Sequence, residues 1–162
     1  MKYEERQDFD APWETVRKMF GDPAYFEKKG KMLKRMDLTI LEHEKKGEHF
    51  RIRFAFDEKP TIELPSFAQR FVDKKAHIIE EDRWDLKART GKLNIELQGL
   101  PVKLSADMKV HDTERGCVNV ISWEIKCSVP LLGGKLEKLI AQDIAFKSKD
   151  DLAASRSLLK KY

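Results

Sequence analysis

Cysteine is nearly absent from this chain, with two among 162 residues, and both fall in the run GCVNVISWEIKCSV. As one strand rising about 3.3 Å per residue, that run holds Cys117 and Cys127 roughly 33 Å apart. A disulfide needs Cα atoms within about 7 Å, so the two cannot pair with each other, which suits a reducing compartment. Long apolar runs are also missing: nothing approaches the ~18 to 20 residues needed to cross a bilayer. The N-terminus, MKYEERQDFD, is too polar for a secretory signal, and the expected location is cytoplasmic. Neither charge sign dominates, with 32 Lys and Arg against 28 Asp and Glu. The net +4 arises from interspersed charges, and a pI near 9.0 permits weak attraction to anionic surfaces, but no basic tract establishes it. Internal repeats, low-complexity segments and Pro-, Gly- or Ser-rich linkers are lacking too. At 18.9 kDa the expectation is one domain over 1–162 with a core of its own.

What is present is a change of period along the chain. KYEERQDF reads as a short strand with Tyr3 and Phe9 in phase. Asp10 then caps DAPWETVRKMF, with Pro12 in the first turn and Trp13, Val16, Met19 and Phe20 as its apolar stripe. A second short helix follows, with Asp22 as cap, Pro23 as first residue and Gly30 as stop. From Met36 the period becomes two. MDLTILEHE and EHFRIRFAFD flank a hairpin turn at Lys45-Lys46-Gly47, and Phe50, Ile52, Phe54 and Phe56 share one face. Burying four such side chains, at about 1.5 to 3 kcal/mol each, fixes which way that face points.

Residues 57–75 are the least regular part and read as a helical turn or two, or a lid-like loop packed through Phe67 and Phe71. Strands resume with HIIEEDRWDLKA, then KLNIELQ after a Thr90-Gly91 turn, then PVKLSADMKVHD. After a turn at 114–116, CVNVISWEIKCSV places Ile121, Trp123, Ile125 and Cys127 on one face. Val118 and Val120 break that phase, so a bulge or a covered back face is expected. Pro130 ends the ladder because it has no N–H, and Gly133-Gly134 let the backbone bend and approach the sheet. From about Gly134 to Leu159 the apolar residues recur at helical spacing, a helix of roughly 39 Å.

Strand, two short helices, six antiparallel strands and one long helix: this order resembles the helix-grip fold of the START-like and birch-pollen-allergen superfamily. IEEDRWD, the Q-G-L-P turn at 98–101 and the VPLLGGKLE junction look like a bacterial family of that superfamily whose function is uncharacterised. The resemblance implies an α+β fold, with a seven-stranded antiparallel sheet curved around the C-terminal helix. It also implies a cavity between the two. Candidate wall residues are Phe50, Ile52 and Phe54, then Trp84, Leu86, Leu93 and Ile95, then Leu104 and Met108. Ile121, Trp123 and Ile125 continue the wall, and Leu136, Ile140 and Ile144 face it from the helix. The expected partner is a hydrophobic or amphipathic small molecule, with no cofactor, no nucleic acid and no transmembrane segment.

Polar groups inside such a cavity would set its chemistry. Strand phase puts Glu80 and Asp82 on the side of Trp84, and Asn119 on the side of Ile121 and Trp123. A buried carboxylate is costly unless paired or protonated, and would be a ligand contact or a general base. The expectation for Glu80 and Asp82, however, is a wet position near the strand's end.

The remaining motifs assign no catalytic or metal-binding residue. The four histidines have no zinc-ligand spacing, although His43 and His49 flank one turn and could face each other. Gly133-Gly134-Lys135 lacks the rest of a phosphate loop. In FRIRF the arginines and aromatics fall on opposite faces, which denies a base-stacking platform. Fold alone cannot choose among carriers, cyclases and oxygenase domains. Ligand binding is the leading expectation. A cyclase- or hydrolase-type enzyme using Glu80, Asp82 or a tyrosine comes second, and an interaction module with a filled core third.

Overall fold

The structure, a computed structural model, describes residues 1–70 and 75–162. Its elements run β1 (Lys2–Phe9), α1 (Trp13–Phe20), α2 (Pro23–Met32), β2 (Met36–Lys46), β3 (His49–Glu58), α3 (Ser66–Gln69) and β4 (Ala76–Asp85). β5 (Thr90–Leu97), β6 (Val102–Asp112), β7 (Cys117–Cys127) and α4 (Gly133–Leu159) complete the order. The strands form one antiparallel sheet among the described residues, ordered β1-β7-β6-β5-β4-β3-β2. With α4 crossing it, this is the expected helix-grip arrangement. No helix among the described residues is long and apolar enough to cross a membrane.

Local chemistry departs from the sequence reading at several turns. Asp10 does not cap α1: Pro12, extended at ψ 158, precedes the first helical residue, and its carbonyl accepts from Thr15 and Val16. Asp22 does cap α2, accepting from the Ala24 N–H at 2.9 Å. Gly30 does not stop that helix. Lys34, at φ 56, takes the left-handed position, and the Arg35 N–H closes the end on the Gly30 carbonyl. In the first hairpin Lys45 and Lys46 belong to β2, and Gly47, at φ 57, makes the turn with Glu48. His43 and His49 do not face each other, because the register pairs His43 with Ile52 and Lys46 with His49.

The Thr90-Gly91 turn is likewise corrected. The chain turns at 86–89 with Arg89 at φ 61, and Gly91 sits within β5, where the Trp84 indole occupies the space of a side chain. Pairing of β7 is regular on both sides, so the break in phase at Val118 is a covered back face and not a bulge. Phe67 is half-buried next to Ala68, and Phe71 lies outside the described residues. Arg51 pairs with Glu42 and Glu81 on the solvated face, opposite the buried Phe50 and Phe54.

Among the described residues the core has two parts. The larger is aromatic and lies under α1 and α2: Phe20 stacks on Trp84 at 5.0 Å, and Phe26 packs on Phe50 and Phe54. The buried Trp13 donates to the Leu86 carbonyl at 3.0 Å and so ties α1 to the sheet. The smaller part, Val102, Leu104, Ile125 and Ala141, lies under the first half of α4. Residues of both parts border the space between the sheet and α4.

Candidate functional site

Between the sheet and α4 lies a cavity of about 590 Å³, within the range of small-molecule sites. Of the apolar candidates, Trp84, Leu93, Ile95, Leu104, Met108, Ile121 and Trp123 line it from the sheet, and Leu136, Ile140 and Ile144 from α4. Five others do not. Phe50, Ile52 and Phe54 are sealed at 2% exposure or less, with Phe26 of α2 stacked on Phe50 and tilted against Phe54. Leu86 belongs to the hairpin against Trp13, and Ile125 packs with Ala141. The physical reason is that α2 fills the sheet surface over β3, which leaves Phe56 and Glu58, at that strand's end, as its lining residues.

Glu80, Asp82 and Asn119 all line the cavity. The expectation of a wet position for the carboxyls is wrong: Glu80 is 6% and Asp82 8% exposed, in the middle of β4. Strand period two puts them on one face about 7 Å apart. Sequence reasoning missed their companions. Lys29 of α2 reaches Asp151 of α4 at 3.2 Å and lies over the Tyr25 ring. Arg35 stands between Glu80 at 3.8 Å and Glu58 at 3.9 Å, its guanidinium 4.1 Å from the Phe56 ring centroid. Two left-handed residues, Lys34 and Asp37, bracket Arg35 and aim it inward, and each such conformation costs of order 1 to 3 kcal/mol.

Burial governs the protonation of this cluster. It lifts Asp82 well above the ordinary carboxylate range, and the charge of Glu80 raises it further. Burial also raises Glu80, against the pull of Arg35 and Lys29. No ion pair reaches Asp82 among the described residues. Burial is the strongest influence on Lys29 and works against its charge, but Asp151, Tyr25 and Glu80 together outweigh it and hold the amine above its usual range. Tyr25 is raised by burial and shares a 2.8 Å hydrogen bond with Ser155.

A second polar group lies on β1. Glu5 accepts from the Trp123 indole N–H at 3.3 Å, from Gln7, and from the Ser148 hydroxyl of α4. Its signal was present in the sequence, because Glu5 and Gln7 are in phase with Tyr3 and Phe9. Lys29 likewise falls at helical spacing from Tyr25 and Phe26. Arg35 carries no such signal, since it sits in a turn. Chemically, the assembled site can shelter an apolar body and set Arg35, Glu80, Asp82 and Asn119 beside it.

A seven-stranded sheet gripping one long helix is a fold shared with solved structures of low identity. Ara h 8.0201 matches with a TM-score of 0.66 at 15% identity, over 100% of this chain and 99% of its own. The Zhui aromatase/cyclase from a Streptomyces species matches at 0.65 and 11%, over 99% and 94%. TTHA0849 from Thermus thermophilus matches at 0.63 and 18%, over 99% and 97%. These likenesses establish the fold. The chain itself belongs to the family described as protein of unknown function (DUF2505), whose profile matches residues 4–151. No curated protein is a significant match to it.

Proposed function

We propose that this chain is a cytoplasmic bacterial protein that binds, and by later release transports, one hydrophobic or lipid-like small molecule between the sheet and α4. The carrying observation is the cavity of about 590 Å³, whose wall is mostly aliphatic and aromatic. Apolar burial at about 25 cal/mol per Å² supplies affinity, and the few inward polar groups set orientation. A filled-core interaction module loses its ground, because it requires this space to be occupied by side chains. The direct test is native mass spectrometry of protein purified gently from its host, compared with the denatured mass. A reproducible extra mass, lost on denaturation and absent from Ile140→Trp, supports the reading. A folded Ile140→Trp that binds as well as the parent sinks it.

One observation favours a second reading. Glu80 and Asp82 form a buried carboxyl pair, each raised above the ordinary carboxylate range by burial, an arrangement suited to acid-base catalysis at a carbonyl. The structural likeness to an aromatase/cyclase is consistent with this. An enzyme predicts that Asp82→Asn abolishes turnover while binding persists. A carrier shows no chemical change in the bound molecule with either protein.

A further inference from the structure

Leu131 carries two costs that nothing inside the chain offsets. It sits at φ 63, a left-handed conformation that a branched side chain rarely adopts, and it is 102% exposed. A side chain so placed packs on no other part of the molecule, and glycine would make the same turn without either cost. Strain held at one exposed position points to a use outside the chain. Pro130 and Pro101 are exposed at the same end, because the turns at 128–132 and 98–101 are tied together: the Ser128 N–H donates to the Pro101 carbonyl at 3.1 Å. This end borders the cavity, which Leu100 lines from one turn and Leu136 and Leu139 from the start of α4.

The charges nearby identify what covers this apolar tip. Lys103 follows one turn and Lys135 and Lys138 follow the other, distant in sequence and joined by the fold. All three are exposed, and none has an ion pair among the described residues. The carboxylates of this end are engaged: Glu124 meets Lys126 at 3.1 Å, Glu96 meets Arg53 at 3.8 Å, and Glu137 meets the terminal ammonium at 3.1 Å. Lys59 and Glu63, on the segment after β3, cancel in sum. One leucine between two prolines is far too small for a specific protein interface, which buries about 800 Å² per partner. Insertion into lipid needs no complementary pocket, and free lysines around an apolar tip suit anionic headgroups. We propose that the Pro130-Leu131 turn docks this protein on anionic phospholipid bilayers, with Leu131 among the acyl chains and Lys103, Lys135 and Lys138 on the headgroups. The cavity then meets the membrane from which its ligand comes. That purpose rests on the binding function proposed above, whereas the contact itself does not.

The test sediments the full chain with vesicles of equal parts phosphatidylglycerol and phosphatidylcholine, and with vesicles of phosphatidylcholine alone. Binding should favour the anionic vesicles and fall as salt rises from about 0.1 M to about 1 M, which shortens the screening length from about 10 Å to about 3 Å. Leu131→Gly should melt close to the parent, because glycine takes φ 63 without strain. It should nevertheless bind the anionic vesicles about tenfold more weakly, the effect of one lost apolar side chain. Lys135→Gln combined with Lys138→Gln should lose most of the preference for anionic lipid. Emission of Leu131→Trp should be quenched by brominated acyl chains, whereas the buried Trp13, Trp84 and Trp123 of the parent should not be. No binding by the parent, full binding by Leu131→Gly, or an unquenched Leu131→Trp would each overturn the docking. Equal binding to neutral vesicles would overturn the anionic assignment. Failed docking beside a ligand mass in native mass spectrometry leaves a carrier that loads from solution or from a protein. Loss of both removes the two readings together.

Discussion

Asp82 is a carboxyl whose surroundings refuse its charge. Its folded-state proton affinity is raised by burial and by Glu80, so folding binds a proton that the unfolded chain releases above its ordinary value of 3.8. A group with a raised folded value contributes stability that is complete below the unfolded value and is lost as pH rises through the folded one. Asp82→Asn removes that dependence, since the amide cannot ionise. Its urea midpoint should match the parent near pH 4 and exceed it at pH 8, by on the order of 1 to 3 kcal/mol after conversion with the m-value. A gap that shrinks with rising pH would contradict the assignment. At this scale, strand phase correctly predicted which way Glu80, Asp82 and Asn119 point. Burial was not legible, because it depends on α2 and α4 arriving from distant parts of the chain. Arg35 was hidden for a related reason: a turn residue has no period, and two left-handed neighbours cannot be read from Lys34 and Asp37.

The junction between β7 and α4 shows how an element is launched. Periodicity and Pro130 located it within one residue, and both glycines were expected to serve it. Their roles differ. A Cβ on Gly133 would lie 2.6 Å from the Cys127 carbonyl oxygen, whereas one on Gly134 meets nothing within 4 Å. The reversal itself is made by Leu131 at φ 63, a branched and fully exposed side chain where glycine would be unstrained. Glu137 then accepts from the Cys127 N–H at 2.8 Å and fixes the first turn of α4 to the end of β7. Gly133→Ala should therefore destabilise by about 1 to 3 kcal/mol, because backbone must move. Gly134→Ala should stabilise by about 0.5 to 1 kcal/mol, because the helix loses a flexible residue. Thermal melts of the two variants check the opposite signs, and equal effects would mean that the close approach at Cys127 is not a constraint.

At the scale of the molecule, one helix both covers the sheet and roofs the cavity, so access depends on what holds α4 to its neighbours. The order of elements and the amphipathic stripe of α4 made this architecture legible. The void was not, since the same period describes filled and hollow interiors. Nor did the sequence reveal that the stripe turns polar beyond Ile144: Ser148, Asp151 and Ser155 continue it with hydrogen bonds to Glu5, Lys29 and Tyr25. The irregular segment after β3 also lines the cavity through Pro60, Thr61, Ile62 and Leu64. It is pinned to α4 by polar contacts, with Asp143 accepting from the Thr61 N–H at 2.9 Å and from its hydroxyl. Lys147 joins the same clasp, reaching Glu58 at 2.8 Å and Asp143 at 2.6 Å. These groups are partly exposed, so each bond is worth about 1 kcal/mol or less, yet a molecule passing between segment and helix must break them together. Asp143→Ala should raise the rates of ligand association and release alike, by about tenfold, and leave the equilibrium affinity nearly unchanged, because lowering a barrier on one path speeds passage in both directions equally. Stopped-flow tryptophan fluorescence with the hydrophobic probe methyl nonyl ketone measures both rates. Unaltered rates would place the opening elsewhere. A rise in release alone would mean that Asp143 holds the ligand directly and does not guard its path.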